Sequence, residues 1–307
     1  MHDPLPSWTN GPVKRAILDF VGRVTTQSSG DYLPMTERIA VFDNDGTLWC
    51  EQPMQAQVLF AQARAERMAE ADPSLRERQP FKAFLEHDLE AIHAMGKQGV
   101  FEFAFAIHAG VTVDDFTKIA KKWIDFALHP VTHRHFAEMV YQPQLELLRF
   151  LRAMGFRTFI VSGGGVDFMR VFAQEFYGIP PEQVIGSSVK TRFEAQNGKC
   201  DLMKLAELGT FDDHEVKAQN IGLHIGRRPI FAFGNSDGDM AMMRYTLSGP
   251  GKRMALLLHH DDAKREVAYD REFRLSPLTE ALDRADDYGF RVVSMKNDWD
   301  VIYASDA

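Results

Sequence analysis

Apolar residues along the chain follow two rhythms. In "VKRAILDFVGRV", residues 13–24, Val13, Ile17, Phe20, Val21 and Val24 recur at three-to-four spacing and predict a helix with one buried face. A short apolar run at 38–43 predicts a strand. From 55 to 140 the helical spacing returns in "MQAQVLFAQARAERMAE", "FKAFLEHDLEAIHAM", "VFEFAFAIHAG" and "VDDFTKIAKKWIDFAL", with almost no strand signal between them. Beyond it the two rhythms alternate. A helix, "PQLELLRFLRAMG", ends on glycine; a strand, "FRTFIVSGGG", runs into a glycine turn; and "VDFMRVFAQEFYG" is helical. "EQVIGSSVKTRF" and "QNGKCDLMKL" predict two short strands around Asn197 and Gly198, a hairpin signal. There follow a helix at about 215–225, the strand "PIFAFGN", a helix near 238–245, the strand "MALLLHH", a helix near 277–288 and the strand "FRVVSMK".

Strands alternating with helices imply an α/β fold, a doubly wound parallel sheet covered on both faces. The expected organisation is a discontinuous core of residues 1–54 and 141–307 with an all-helical insert at 55–140. Ligands in such sheets bind at the carboxyl ends of the strands.

Composition narrows the partners. A chain of 307 residues, 45% hydrophobic, can bury a proper core. A formal net charge of -8 argues against nucleic acid or an anionic membrane as the main partner, since both need clustered positive charge. Two cysteines, Cys50 and Cys200, make neither a disulfide framework nor a metal knot. No apolar run is long enough to span a membrane, and "MHDPLPSW" lacks the basic start and apolar stretch of a signal peptide. The expected location is cytoplasmic, or periplasmic if a leader has been removed. Oligomeric state is left open.

The strand ends carry the candidate chemistry. Asp43 and Asp45 in "VFDNDGTLWCE" follow the first strand, Ser162 and the glycines 163–165 follow the second, and "GNSDGD", Gly234 to Asp239, follows a later one. Two carboxylates with further oxygen donors and no His or Cys cluster suit a hard cation such as Mg²⁺. A serine hydroxyl beside glycine amides suits an anion. Lys217, opening a helix, can supply positive charge, although Lys199 and Lys204 lie close in sequence.

"DNDGT", "VSGGG", a helix-opening lysine and "GNSDGD", in that order, resemble the four motifs of the haloacid dehalogenase superfamily, in particular its phosphoserine phosphatase-like branch. The resemblance implies a Rossmann-like core with a helical cap inserted between the first and second motifs. It also implies a Mg²⁺-dependent phosphatase acting on a small phosphorylated metabolite. Asp43 would be the nucleophile and become an aspartyl-phosphate. Asp45 would be the acid and base. Ser162, Gly163, Gly164, Lys217 and Thr47 would hold the phosphate, and Asp43, Asp45 (through its backbone carbonyl), Asn235 and Asp239 the metal. Asn235 departs from the pattern, because the family usually has an aspartate there; Asp239 and Asp237 are the residues placed to compensate.

The resemblance leaves the leaving group open. Phosphoserine is one alternative, but the branch places a substrate-binding glutamate nine residues after its nucleophile, where this chain has Gln52, and Glu51 falls one residue early. A dehalogenase has no need of the acid Asp45, whereas a phosphotransferase or mutase would use the same residues. A regulatory module that binds a phospholigand without turnover, with Asn235 as its lesion, is the alternative of another class. His259, His260, Asp261 and Asp262 read as a solvated loop. His108, His129, His133 and His135 read as surface or core residues, and Phe101, Phe103 and Phe105 as packing.

Overall fold

The computed structural model describes residues 3–196 and 198–306. Seven strands form one sheet: β1 (Ile39–Phe42), β2 (Arg157–Gly165), β3 (Val184–Gln196), β4 (Lys199–Thr210), β5 (Phe231–Gly234), β6 (Met254–His259) and β7 (Arg291–Ser294), in the order β4-β3-β2-β1-β5-β6-β7. All neighbours are parallel except β3 and β4. The chain winds outward from β1 through β2 and β3, then returns to β1's other side at β5. That reversal opens a crevice beyond the carboxyl end of β1.

Alternation along the strands explains the two covered faces. Ala40 and Phe42 of β1, with Phe231 and Phe233 of β5, face a core that includes Phe20 and Leu148 from helices Pro12–Thr25 and Gln142–Ala153. Ile39 and Val41, with Ala232, face a second core containing Ile221, Met242 and Met243 from helices Glu215–His224 and Met240–Leu247. Burial on both faces is why the central strands read as continuous apolar runs.

Several predicted elements differ in extent. The hairpin strands are long, 13 and 12 residues, because the arm continues past the sheet edge. Gly198 holds the left-handed conformation the turn needs (φ +77°), while Asn197 lies outside the described residues. The helix expected near 277–288 is two short pieces, Glu280–Asp283 and Ala285–Tyr288. "SMK" after β7 turns into a helix, capped by the Ser294 hydroxyl on the Asn297 amide.

Between 55 and 140 the described residues form helices and no strand of the sheet. Phe60, Phe116 and Ile124 join the core around Phe168 and Phe172. Val58, Phe84, Phe101, Phe103 and Phe105 form another cluster with Tyr269 and Phe273. Each large apolar side chain taken from water contributes about 1.5–3 kcal/mol. That apolar contact outweighs any single ion pair in holding the segment down.

Candidate active site

β1 ends at Phe42, so Asp43 is the first residue past the strand, and its amide still donates to Phe233 of β5. The chain then folds tightly: the Leu48 amide donates to the Asn44 carbonyl at 2.8 Å and the Gly46 amide to the Trp49 carbonyl at 2.9 Å. Gly46 has φ +76°, and a Cβ there would run into the Asn235 amide and the Glu51 carboxylate. The turn therefore needs glycine for its conformation and for the close approach. Trp49 Nε1 donates to Asp45 Oδ1 at 2.8 Å, fixing that carboxylate from behind.

Asp43, Asp45, Ser162, Gly163, Gly164 and Lys217 line one narrow cavity. Lys217 Nζ donates to Asp43 Oδ1 at 2.7 Å and to Asp239 Oδ1 at 2.6 Å. Of the lysines weighed from the sequence, it is the one that reaches Asp43; Lys204 pairs with Asp167 over the Phe116 ring, and Lys199 is exposed. The "VSGGG" stretch stays within β2, whose register on β3 slips between Ser162 and Gly165. This bulge turns Ser162 and the first two glycines toward the cavity. The Gly164 amide donates to Ser162 Oγ at 3.2 Å, and the Gly163 carbonyl accepts from Ser187 at 2.7 Å.

The expected residues are not all at the cavity wall. Thr47 is fully buried and donates to Asn235 Oδ1 at 3.0 Å. Asp239 is spent on Lys217 and, through Oδ2, on the Asn235 and Ser236 amides. Asp237 caps the helix Glu280–Asp283, accepting from the amides of Thr279, Glu280 and Ala281. Asn235 Nδ2 donates to Glu51 Oε1 at 2.9 Å. Glu51, buried and held also by Tyr269, Ser276 and Gln55, is not a wall of the cavity.

Electrostatics follow from burial. Asp43 is pushed up to about 8 by desolvation and the charge of Asp239, against the pull of Lys217. Burial also raises Asp45, although Trp49 works the other way. Burial and the charge of Asp45 push Glu51 up to about 7. For Lys217, burial opposes the charge, but Asp239 and Asp43 overcome it and hold the ammonium above the ordinary lysine value. Lys217 bonds two buried carboxylates, Asp43 and Asp239, and Asp45 lines the same cavity, so the ionised forms of these groups would leave a surplus of negative charge. Among the described residues no three His, Cys, Asp or Glu side chains gather as a metal-ligand cluster. The oxygens of Asp43, Asp45 and Asn235 are nevertheless hard donors, and a divalent cation would offset the surplus, so the donor set fits Mg²⁺.

The structure adds residues that no sequence pattern marked. Lys97, from the helix Gly96–Ala106 in the 55–140 segment, lines the cavity and pairs with Asp213 at 3.0 Å. Phe101, expected as packing, is both packed and a cavity wall, and Gln55, Ser236 and Ser276 complete the lining. His260 corrects the reading of a solvated loop: it is buried, stacks on Tyr269 at 4.4 Å, and its Nε2 donates to the Gly46 carbonyl at 2.8 Å. Its Nδ1 faces Glu266 at 3.4 Å. Burial disfavours its charge, but Glu266 overcomes this and holds the imidazolium above the ordinary histidine value. Asp262 is likewise buried, on Arg265. Only "DD" at 212–213, shortly before Lys217, was a signal the sequence offered; Asp213 carries Lys97, and Asp212 Oδ1 accepts from Asn220 at 2.9 Å.

The profile of the haloacid dehalogenase-like hydrolases matches residues 40–244. Solved structures share the fold. A functionally unknown protein from Anaerococcus prevotii DSM 20548 is 15% identical, with 85% of this chain and 89% of that one covered, at a TM-score of 0.55. A protein of unknown function from Bordetella pertussis Tohama I is 16% identical, with 84% and 98% covered, at a TM-score of 0.53. No curated protein matches the chain in sequence.

Proposed function

The chain belongs to the haloacid dehalogenase-like hydrolase family, and we propose that it is a Mg²⁺-dependent phosphatase that hydrolyses small phosphate monoesters through an aspartyl-phosphate on Asp43. The observation that carries this reading is the Asp43 carboxylate at the end of β1, clamped by Lys217 at 2.7 Å, with Asp45 and Ser162 in the same cavity. Asp43 Oδ2 attacks phosphorus, the ester P–O bond breaks, and the proton of Asp45 goes to the departing alkoxide. Asp45 then takes a proton from the water that attacks the acyl phosphate, which releases inorganic phosphate and frees Asp43. Burial raises the affinity of Asp45 for its proton, which suits the acid role in the first step. Ser162 and Lys217 hold the non-bridging oxygens, and Asp239 keeps the lysine in place.

Asp43, the Asp45 carbonyl and Asn235 Oδ1 would hold Mg²⁺, which when bound supplies positive charge to the phosphoryl oxygens and keeps Asp43 ionised. In this reading the 55–140 segment is a cap domain on a core of 1–54 and 141–307. The cap covers the cavity and excludes water and macromolecular phosphates.

The test is hydrolysis of p-nitrophenyl phosphate with Mg²⁺ and after chelation. Chelation should abolish turnover and added Mg²⁺ restore it, and Asp43→Asn should lose on the order of 10³-fold or more while staying folded. Wild-type turnover by that variant would overturn the mechanism. Phosphate-ester binding without any turnover would leave the regulatory alternative in its place.

A further inference from the structure

Part of the cavity wall is not used by the phosphoryl chemistry. Gln55 is 2% exposed and lines the cavity. Its Nε2 donates to Glu51 Oε2 at 2.9 Å and to Ser276 Oγ at 3.3 Å. Those contacts fix the amide's orientation, since turning it over would set its oxygen against the Glu51 carboxylate. Oε1 is then a buried acceptor with no hydrogen-bond partner among the described residues. Such an acceptor is costly to leave unpaired, and its side chain lines the cavity, where a donor could reach it.

Lys97 brings a cation to the same space. Its Nζ lies 3.7 Å from where a Cβ on Gly163 would stand, which sets the ammonium against the Gly163 backbone in van der Waals contact. Phe101, one helical turn further on, sets an apolar wall beside it. Lys217 is already committed to Asp43 and Asp239, whereas Lys97 pairs with the buried Asp213 and stands close enough to Asp45 to feel its charge.

We propose that Gln55, Lys97 and Phe101 form the leaving-group subsite, and that it takes the phosphate monoester of a short hydroxy acid. A free hydroxyl donates to Gln55 Oε1, a carboxylate meets Lys97, and the carbon chain lies on Phe101. An ammonium in place of the hydroxyl would stand beside a neutral amide and near Lys97, because Glu51 is turned away and saturated by four donors. This rests on the phosphatase reading above and deepens it by naming the substrate class.

The experiment compares kcat/KM for 3-phosphoglycerate, glycerol 3-phosphate, 3-phosphopropionate and O-phosphoserine, with p-nitrophenyl phosphate as the report on the chemistry itself. Wild type should prefer 3-phosphoglycerate to each of the other three alkyl esters by about tenfold or more. In Lys97→Met the preference over glycerol 3-phosphate should fall to near one while that over 3-phosphopropionate persists. In Gln55→Met the pattern should be the reverse. Binding of the same esters to Asp43→Asn by calorimetry makes the comparison without turnover and shows whether each variant is folded. No turnover of p-nitrophenyl phosphate would overturn the phosphatase reading alone, because the binding comparison still stands. Turnover with no preference for 3-phosphoglycerate, or equal loss on all esters in both variants, would overturn the subsite.

Discussion

Asn235 Nδ2 stands 2.9 Å from Glu51 Oε1, both side chains buried, and the same amide's oxygen accepts from Thr47. The asparagine that departs from the family pattern is thus matched to a carboxylate that needs a donor. An aspartate at 235 would face Glu51 oxygen to oxygen, with both carboxylates buried.

This predicts that Asn235→Asp, a change toward the family pattern, destabilises the protein by about 3 kcal/mol, the cost of an uncompensated buried charge. Glu51→Gln added to it restores a donor and should recover most of the loss. Urea unfolding of the single and double variants at pH 8 measures the coupling. Additive effects would show that the two residues do not depend on each other.

Asp45→Asn separates acid catalysis from structure. A phenolate leaves readily without a proton and an alkoxide does not, so the variant should lose on the order of 10²-fold or more on alkyl phosphates and far less on aryl phosphates. Equal losses on both would assign Asp45 to the turn alone, through its bond to Trp49.

His260 positions the loop from outside the cavity by donating to the Gly46 carbonyl, one residue from Asp45. His260→Ala should lower kcat by roughly tenfold to a hundredfold with KM nearly constant, since a displacement of about 1 Å at the acid is enough for that. Added imidazole should restore part of kcat. A change confined to KM, or to thermal stability, would remove His260 from this role.

His108 makes stability depend on pH. Burial pushes it down to about 4, its ring stacks on Phe60 at 4.5 Å, and its Nδ1–H donates to the Ala104 carbonyl at 3.1 Å. The unfolded chain takes up a proton near 6.5 and the folded one does not until about 4. The contribution of the neutral ring is therefore complete above pH 6.5 and is lost as pH falls toward 4, by up to roughly 3 kcal/mol. His108→Phe should flatten that acid-side decline in denaturant titrations at a series of pH values. An unchanged slope would show that other groups govern it.

The apolar runs at β1, β2, β5 and β6 were legible because strands buried on both faces leave no polar alternation to confuse them, and where those runs give way to polar residues, Asp43 and Asp45 stand past the end of β1 and Ser162 toward the end of β2. The helical character of 55–140 was legible for the same kind of local reason. Local pattern says nothing about which polar group meets which across 100 or more residues. Lys97 to Asp213, Asn235 to Glu51 and His260 to Gly46 join segments that only the closed sheet and the docked helices bring together. The histidine-aspartate run at 259–262 looked solvated because charged residues usually are, yet the packing of Tyr269 and Glu266 buries His260 and gives its protons partners. Sequence by itself determined which polar residues stand at the strand ends. Tertiary structure decided which carboxylates line the cavity, as Asp43 and Asp45 do, and which are consumed as anchors, as Asp237, Asp239 and Glu51 are, because that depends on the distances at which buried charges and donors meet.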